Sequence, residues 1–289
     1  MRSRRFAIVA ALVAAAASPG AAPRPQQAGA SRTALAAVTD DRNRMIVDVG
    51  PDDVIVQEGG QAREVLDVRV ADYPIVLMID TGADARTDLE LMRKAAGRFI
   101  DRLGPRPIAV GTLADPPRLL ASFDDDRAVL LERLAALTPE LGAKSSMMQG
   151  AALAGSTLRA AGSLFSAMIV LSGTASDHSR GDPEQLLAAV VDSGAIVHVI
   201  ANRATQIAPA PGQVRGGPVL RSIAEQTRGE YTVIYSPASY QAALDKLADR
   251  LAGELMVEYL VPHASKAIDV KVGVKLPGAK IRGLGVAPR

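Results

Sequence analysis

Two short segments carry residue types suited to acid–base chemistry: Asp80-Thr81-Gly82-Ala83-Asp84 and Asp192-Ser193-Gly194-Ala195. Two aspartates within hydrogen-bond reach can share one proton and activate a water for hydrolysis. Such a dyad requires Asp80 and Asp192 on facing loops. Asp80 directly follows 75–79, an unbroken apolar run of the kind found in strands buried on both faces. A carboxylate just past such a strand projects beyond the carboxyl end of the sheet, where open α/β folds place their ligands.

Other candidates are weaker. His178, His198 and His263 stand far apart, and His198 lies within an apolar strand, the usual setting of a satisfied core histidine. Asp124-Asp125-Asp126 reads as a helix N-cap cluster. Gly59-Gly60 and Gly216-Gly217 lack the spacing of a phosphate loop, and Ser172-Gly173 has no nucleophile elbow around it.

The elements that must position Asp80 follow from periodicity. Strand-like runs at 45–49, 54–57 and 63–70 are separated by the turn residues Gly50-Pro51-Asp52-Asp53 and Glu58-Gly59-Gly60, which predicts a small β unit over 35–72. From 73 to 254 strands alternate with helices: strands at 75–79, 108–113, 118–123, 168–172, 195–200 and 231–235, helices at 86–103, 126–137, 146–161, 184–192, 218–227 and 239–254. Asp182-Pro183 supplies an N-cap with proline at the first helical position, and Gly194 a stop. This alternation predicts a doubly wound, mostly parallel sheet with helices on both faces. Strand-like segments at 255–261, 267–275 and 279–284 close the chain, so a small β appendage from the N- and C-terminal strands is expected.

In order along the chain, Val38-Thr39-Asp40, Asp52-Asp53-Val54-Ile55-Val56-Gln57-Glu58-Gly59-Gly60-Gln61, and Pro74-Ile75-Val76-Leu77-Met78-Ile79-Asp80-Thr81-Gly82 stand as a leader, with Pro277-Gly278-Ala279-Lys280-Ile281-Arg282-Gly283 in the tail. Over about residues 35 to 286 this pattern resembles the von Willebrand factor type A domain, in its exported bacterial branch. The resemblance implies a Mg²⁺ or Ca²⁺ adhesion site built from an Asp-x-Ser-x-Ser loop, a hydroxyl from a second loop and an aspartate after the fourth strand. Carried over by position, Asp80 is kept, Gly82 replaces the first serine, Asp84 replaces the second, Ser145 or Ser146 stands for the threonine, and Gly173 replaces the last aspartate unless Asp177 reaches in. A weak, degenerate metal site of Asp80, Asp84 and Ser145 is one expectation; the other is that Asp80 and Ser145 only hydrogen-bond loop amides. The resemblance further implies a non-catalytic module meeting an unidentified protein partner through Asp80, Thr81, Gly82, Asp84, Ser145, Ser146 and Thr174. Two alternatives stand beside it: a scaffold that has lost its metal site, and a hydrolase using Asp80 and Asp192, since Asp80-Thr81-Gly82 is also similar to the aspartic protease signature. That last fold is nearly all β, whereas here an amphipathic helix follows Asp80.

Arg2, Arg4 and Arg5 ahead of an apolar run ending at Ala17, then Ser18-Pro19-Gly20, form the layout of a secretory signal peptide over 1–20. The run is too short to remain as a membrane span. Residues 21–34, rich in Ala, Pro and Gln, read as a flexible linker. The formal charge of +2 includes the three arginines, and the mature chain carries −1, which offers nucleic acid no attraction. Lysines of the C-terminal segment (Lys266, Lys271, Lys275, Lys280) suit soluble sheet edges. Zero cysteines exclude disulfides, thiolate metal sites and thiol chemistry. Without tryptophan, and with aromatics at 3%, stacking surfaces for sugars or bases are not expected.

Overall fold

A computed structural model describes residues 30–203, 216–262 and 267–287, with the side chains of 216–218 left aside. The expected signal peptide and residues 21–29 of the expected linker lie outside the described residues. In chain order the elements are β1 (Ala30–Thr39), β2 (Val54–Glu58), β3 (Gln61–Arg63), β4 (Val65–Val70), β5 (Ile75–Ile79) and α1 (Leu89–Arg102). β6 (Ile108–Thr112), β7 (Arg118–Ala121), α2 (Arg127–Ala135), α3 (Met147–Ala160), β8 (Ala167–Ser172) and α4 (Pro183–Val191) follow. The chain continues with β9 (Ile196–Asn202), α5 (Gly216–Gln226), β10 (Tyr231–Ile234), α6 (Ser239–Ala252), β11 (Glu254–Val261), β12 (Val270–Val274) and β13 (Lys280–Val286).

The central sheet has the order β10-β9-β8-β5-β6-β7, all parallel except the edge strand β7. Strand periodicity divides β5 between two cores. Ile75, Leu77 and Ile79 pack with α1, α2 and α6, whereas Val76 and Met78 pack with α3, α4 and α5. The doubly wound reading is therefore met, helices covering both faces. Asp182 caps α4 as expected, accepting from the Glu184 amide at 3.0 Å, and Gly194 follows the helix with φ +71°.

The terminal strands build the appendage. One sheet runs β13-β1-β11-β4 and a second β12-β2-β3, closed over a core that includes Ala36, Val38, Val56, Val257 and Tyr259. Three expectations are corrected here. A strand begins at Ala30, where a linker to 34 was expected; small alanines have weak strand preference, and pairing with β11 and β13 decides the conformation. The 45–49 run forms only a single bridge, Met45 to Thr39, because the Asp40 carboxylate accepts from the Arg42 and Arg44 amides and bends the chain. The 63–70 run splits at Glu64, β3 joining β2 while β4 joins β11.

Among the described residues, no helix is long and apolar enough to cross a membrane.

Candidate functional site

After β5 the chain enters β6 on one side, and β8 lies on the other, so the switch point falls between β5 and β8. Asp80 and Gly173 occupy it from the two sides. The Asp80 amide donates to Leu171 O at 3.0 Å, and its carboxylate is fully buried. Ser145 Oγ donates to Asp80 Oδ1 at 2.5 Å, the Gly82 amide to the same oxygen at 3.2 Å, and the Gly173 amide to Oδ2 at 3.1 Å. Burial pushes the Asp80 carboxyl from 3.8 up to about 6, against the pull of these donors, with the Asp84 charge adding to the rise.

Ser145 arrives there because the segment from Glu140 to Ser146 is stitched across the Asp80 loop. Glu140 N donates to Thr81 O at 2.7 Å, Thr81 Oγ1 to Glu140 Oε1 at 2.8 Å, and the Ala83 amide to Ala143 O at 2.9 Å. Arg118 Nη1 holds the other Glu140 oxygen at 2.8 Å, and the Ser146 amide donates to Leu113 O at 2.6 Å.

The two glycines that stand where the resemblance implies ligands are closed by packing. A Cβ on Gly82 would lie 2.5 Å from Ser145 Oγ and 2.9 Å from the Ser145 nitrogen. On Gly173 it would lie 2.7 Å from the Ala85 Cβ. Neither a serine nor an aspartate fits without movement. Asp84 does not turn in: the 3₁₀ turn Ala83–Ala85 buries Ala85 and leaves Asp84 exposed. Asp80 and Ser145 thus meet, but Asp84 does not join them. Asp177 is committed elsewhere, its carboxylate accepting from the first two amides of α3, Met147 at 2.8 Å and Met148 at 3.4 Å, while Ser179 Oγ takes Gln149 N at 3.0 Å. These residues do not fit a hard divalent cation, which needs several open oxygen donors around one point. No group of three His, Cys, Asp or Glu able to hold a metal occurs among the described residues.

The expected partner face is also redistributed. Asp80, Thr81, Gly82, Ser145 and Ser146 are buried and form the floor of the crevice. Thr174 is half-buried, its carbonyl accepting from Ser172 Oγ at 2.7 Å and Arg203 Nη1 at 2.9 Å. The solvent meets Asp84, Arg86, Leu141 and Lys144 instead.

The Asp80–Asp192 dyad is overturned by topology. Asp192 is exposed at the C-cap of α4, which runs back to the start of β9, whose Ile196 pairs with the first residue of β8. The two carboxylates stand beyond opposite ends of the sheet, separated by at least a strand length, roughly 16 Å.

Sequence reading missed a polar network under the crevice. Asn202 Nδ2 donates to Asp88 Oδ2 at 2.6 Å, and Tyr240 OH to Ser172 O at 2.8 Å. Arg203 Nη2 donates to Tyr231 OH at 2.9 Å. Burial, then the Asp88 and Asp80 charges, raises the Tyr240 hydroxyl far above its ordinary range. Partners in this network lie 28 to 114 residues apart in sequence, and Asp88 alone signals only a helix start.

No protein-family model and no curated protein matches the chain. Among solved structures, the chain is similar to a von Willebrand factor type A protein from Catenulispora acidiphila, with 14% identity, 90% of this chain and 74% of that one covered, and a TM-score of 0.55. It is also similar to an aerotolerance-related membrane protein from Bacteroides fragilis (14% identity, 61% and 98% covered, TM-score 0.47). A third is proximal thread matrix protein 1 from the mussel byssus with a zinc-occupied MIDAS motif (12% identity, 64% and 48% covered, TM-score 0.49). Together with the strand order and the switch-point loop, the first of these likenesses shows that the chain has the von Willebrand factor type A fold.

Proposed function

We propose that the chain is a non-catalytic, exported protein-binding module that works without a metal ion at its switch point. The observation that carries this reading is the Asp80 carboxylate, whose two oxygens accept from Ser145, Gly82 and Gly173 in a crevice closed by the two glycines. A carboxylate engaged in this way holds three loops together rather than facing a ligand. Partner contact then falls to the exposed rim, Asp84, Arg86, Leu141 and Lys144, with half-buried Thr174 beside it. The rim combines an apolar side chain with charges of both signs, a composition suited to a polar protein surface rather than to nucleic acid. Export rests on the arginine-led apolar segment at the N-terminus.

The test is affinity capture from exported-protein extracts with the full chain, run in EDTA and in Mg²⁺, beside Leu141→Asp and Asp84→Arg. The reading expects one partner captured equally in both buffers and lost in the rim variants. Capture that needs Mg²⁺, or that ignores both substitutions, contradicts it.

A further inference from the structure

Under the second half of α6 lies a cavity of about 580 Å³, walled by β9 and β10 and by two parts of the β unit, the Asn43–Met45 turn and Arg282 of β13. That size falls among small-molecule sites, roughly 300–1,000 Å³. Its walls are fixed in advance. Asp40 accepts from the Arg42 and Arg44 amides at 2.9 and 2.8 Å, and Met45 presses on Gly253, where a Cβ would come within 2.4 Å of Met45 Cγ. Ile200 and Leu247, which share the α6 side of the sheet, give the cavity an apolar side.

Its polar side is incomplete. His198 is 2% exposed, and neither imidazole nitrogen has a hydrogen-bond partner; Arg250 Nε, lining the same cavity, has none either. Buried polar groups left unpartnered are rare, and two on one cavity point to a missing acceptor. The charge balance agrees. Arg44, Lys246, Arg250 and Arg282 face Glu230 and Asp249; Asp249 is already held by Arg102 and Arg44 by Asp40, and the buried Glu254 carboxyl acts on Arg250 and Arg282 from behind. Glu230 receives Arg250 at 3.2 Å, while among the described residues Arg282 forms no ion pair. A positive excess remains, yet Glu230 disfavours a dianion.

We propose that this cavity binds a small organic monocarboxylate with an apolar body. Its carboxylate accepts from Arg250 Nε–H and the His198 N–H, its body packs on Leu247 and Ile200, and Lys246 and Arg282 draw it in. The site is remote from the Asp80 crevice and independent of how the rim is used. It would let a small acid bridge the central sheet and the β unit.

Calorimetric titration of the full chain with octanoate tests this, with octanol and octylamine as matched neutral and cationic probes. Octanoate is expected to bind saturably at one site, octanol at least about tenfold more weakly, and octylamine not at all. Ala243→Phe, which fills the cavity from α6, should abolish octanoate binding. Because a filled cavity could disturb folding, Lys246→Ser with Arg282→Ser changes only exposed side chains and should weaken binding about fivefold. Absence of saturable octanoate binding, equal binding of octylamine, or indifference to both sets of variants would overturn the proposal.

Discussion

At the C-terminal edge of the central sheet the buried Asp80 carboxylate accepts three hydrogen bonds, whereas under α6 the equally buried His198 has no partner for either nitrogen. Both side chains follow from the same kind of strand, apolar and covered on both faces. They differ in what the neighbouring loops do. The 140–146 segment closes over Asp80 and supplies Ser145, while the 43–45 turn stands back from His198 and leaves a cavity. The position that the resemblance marks for chemistry is therefore filled by the protein itself. The open position is that of His198, which the sequence presents as a satisfied core histidine and whose nitrogens the fold leaves unpartnered.

The largest expected effect breaks the closed end. Gly173→Asp restores the carboxylate implied at that position but drives it into Ala85 and beside buried Asp80, so a loss of about 3 kcal/mol or more in urea unfolding is expected. The variant should gain no Mg²⁺ affinity. Unchanged stability would show a softer crevice than the packing implies.

Acid separates the two groups by sign. Asp80, raised from 3.8 to about 6, is protonated more readily in the folded chain, so it adds stability as pH falls from about 6 to 4.5. His198, lowered from 6.5 to about 3 by burial and then by the Arg250 charge, resists protonation when folded, so its contribution is full above pH 6.5 and is lost below it. By pH 4.5 the change amounts to about 2 kcal/mol for Asp80 and about 3 kcal/mol for His198, in opposite directions. Denaturation curves of His198→Gln should therefore show greater relative stability in mild acid, and those of Asp80→Asn less. Parallel pH profiles in all three proteins would remove the contrast.

A smaller effect concerns the support of the closed end. Asp177→Ala leaves the first amides of α3 without their acceptor and should cost about 1–2 kcal/mol. Smaller still, Arg118→Ala removes a half-exposed ion pair with Glu140 and should cost only a few tenths of a kcal/mol, about 0.5 at most. If Arg118→Ala proved the costlier, the Glu140 stitch rather than helix capping would hold the crevice.

The sequence made the central sheet legible because 75–79, 108–112, 167–172 and 196–202 are apolar runs whose neighbours leave them no other fate, and because Asp182-Pro183 and Gly194 act through local geometry. β1 was hidden: its alanines become a strand only by pairing with β11 and β13, more than 200 residues away. In the crevice, Asp80 and its position were readable, and so was the alternative that it binds loop groups. The outward turn of Asp84 was not, since a 3₁₀ turn sets it after Ala85 has found its place in the core. Asp88, Asn202 and Tyr240 meet only through tertiary packing, which no spacing encodes.

Titration of the wild-type chain and of Asp80→Ala with Mn²⁺, followed by calorimetry and by the paramagnetic signal of the free ion, tests the closure of the crevice most directly. A crevice sealed by Ser145, Gly82 and Gly173 gives no saturable binding in either protein. Saturable Mn²⁺ binding by the wild type that disappears in Asp80→Ala would contradict the account.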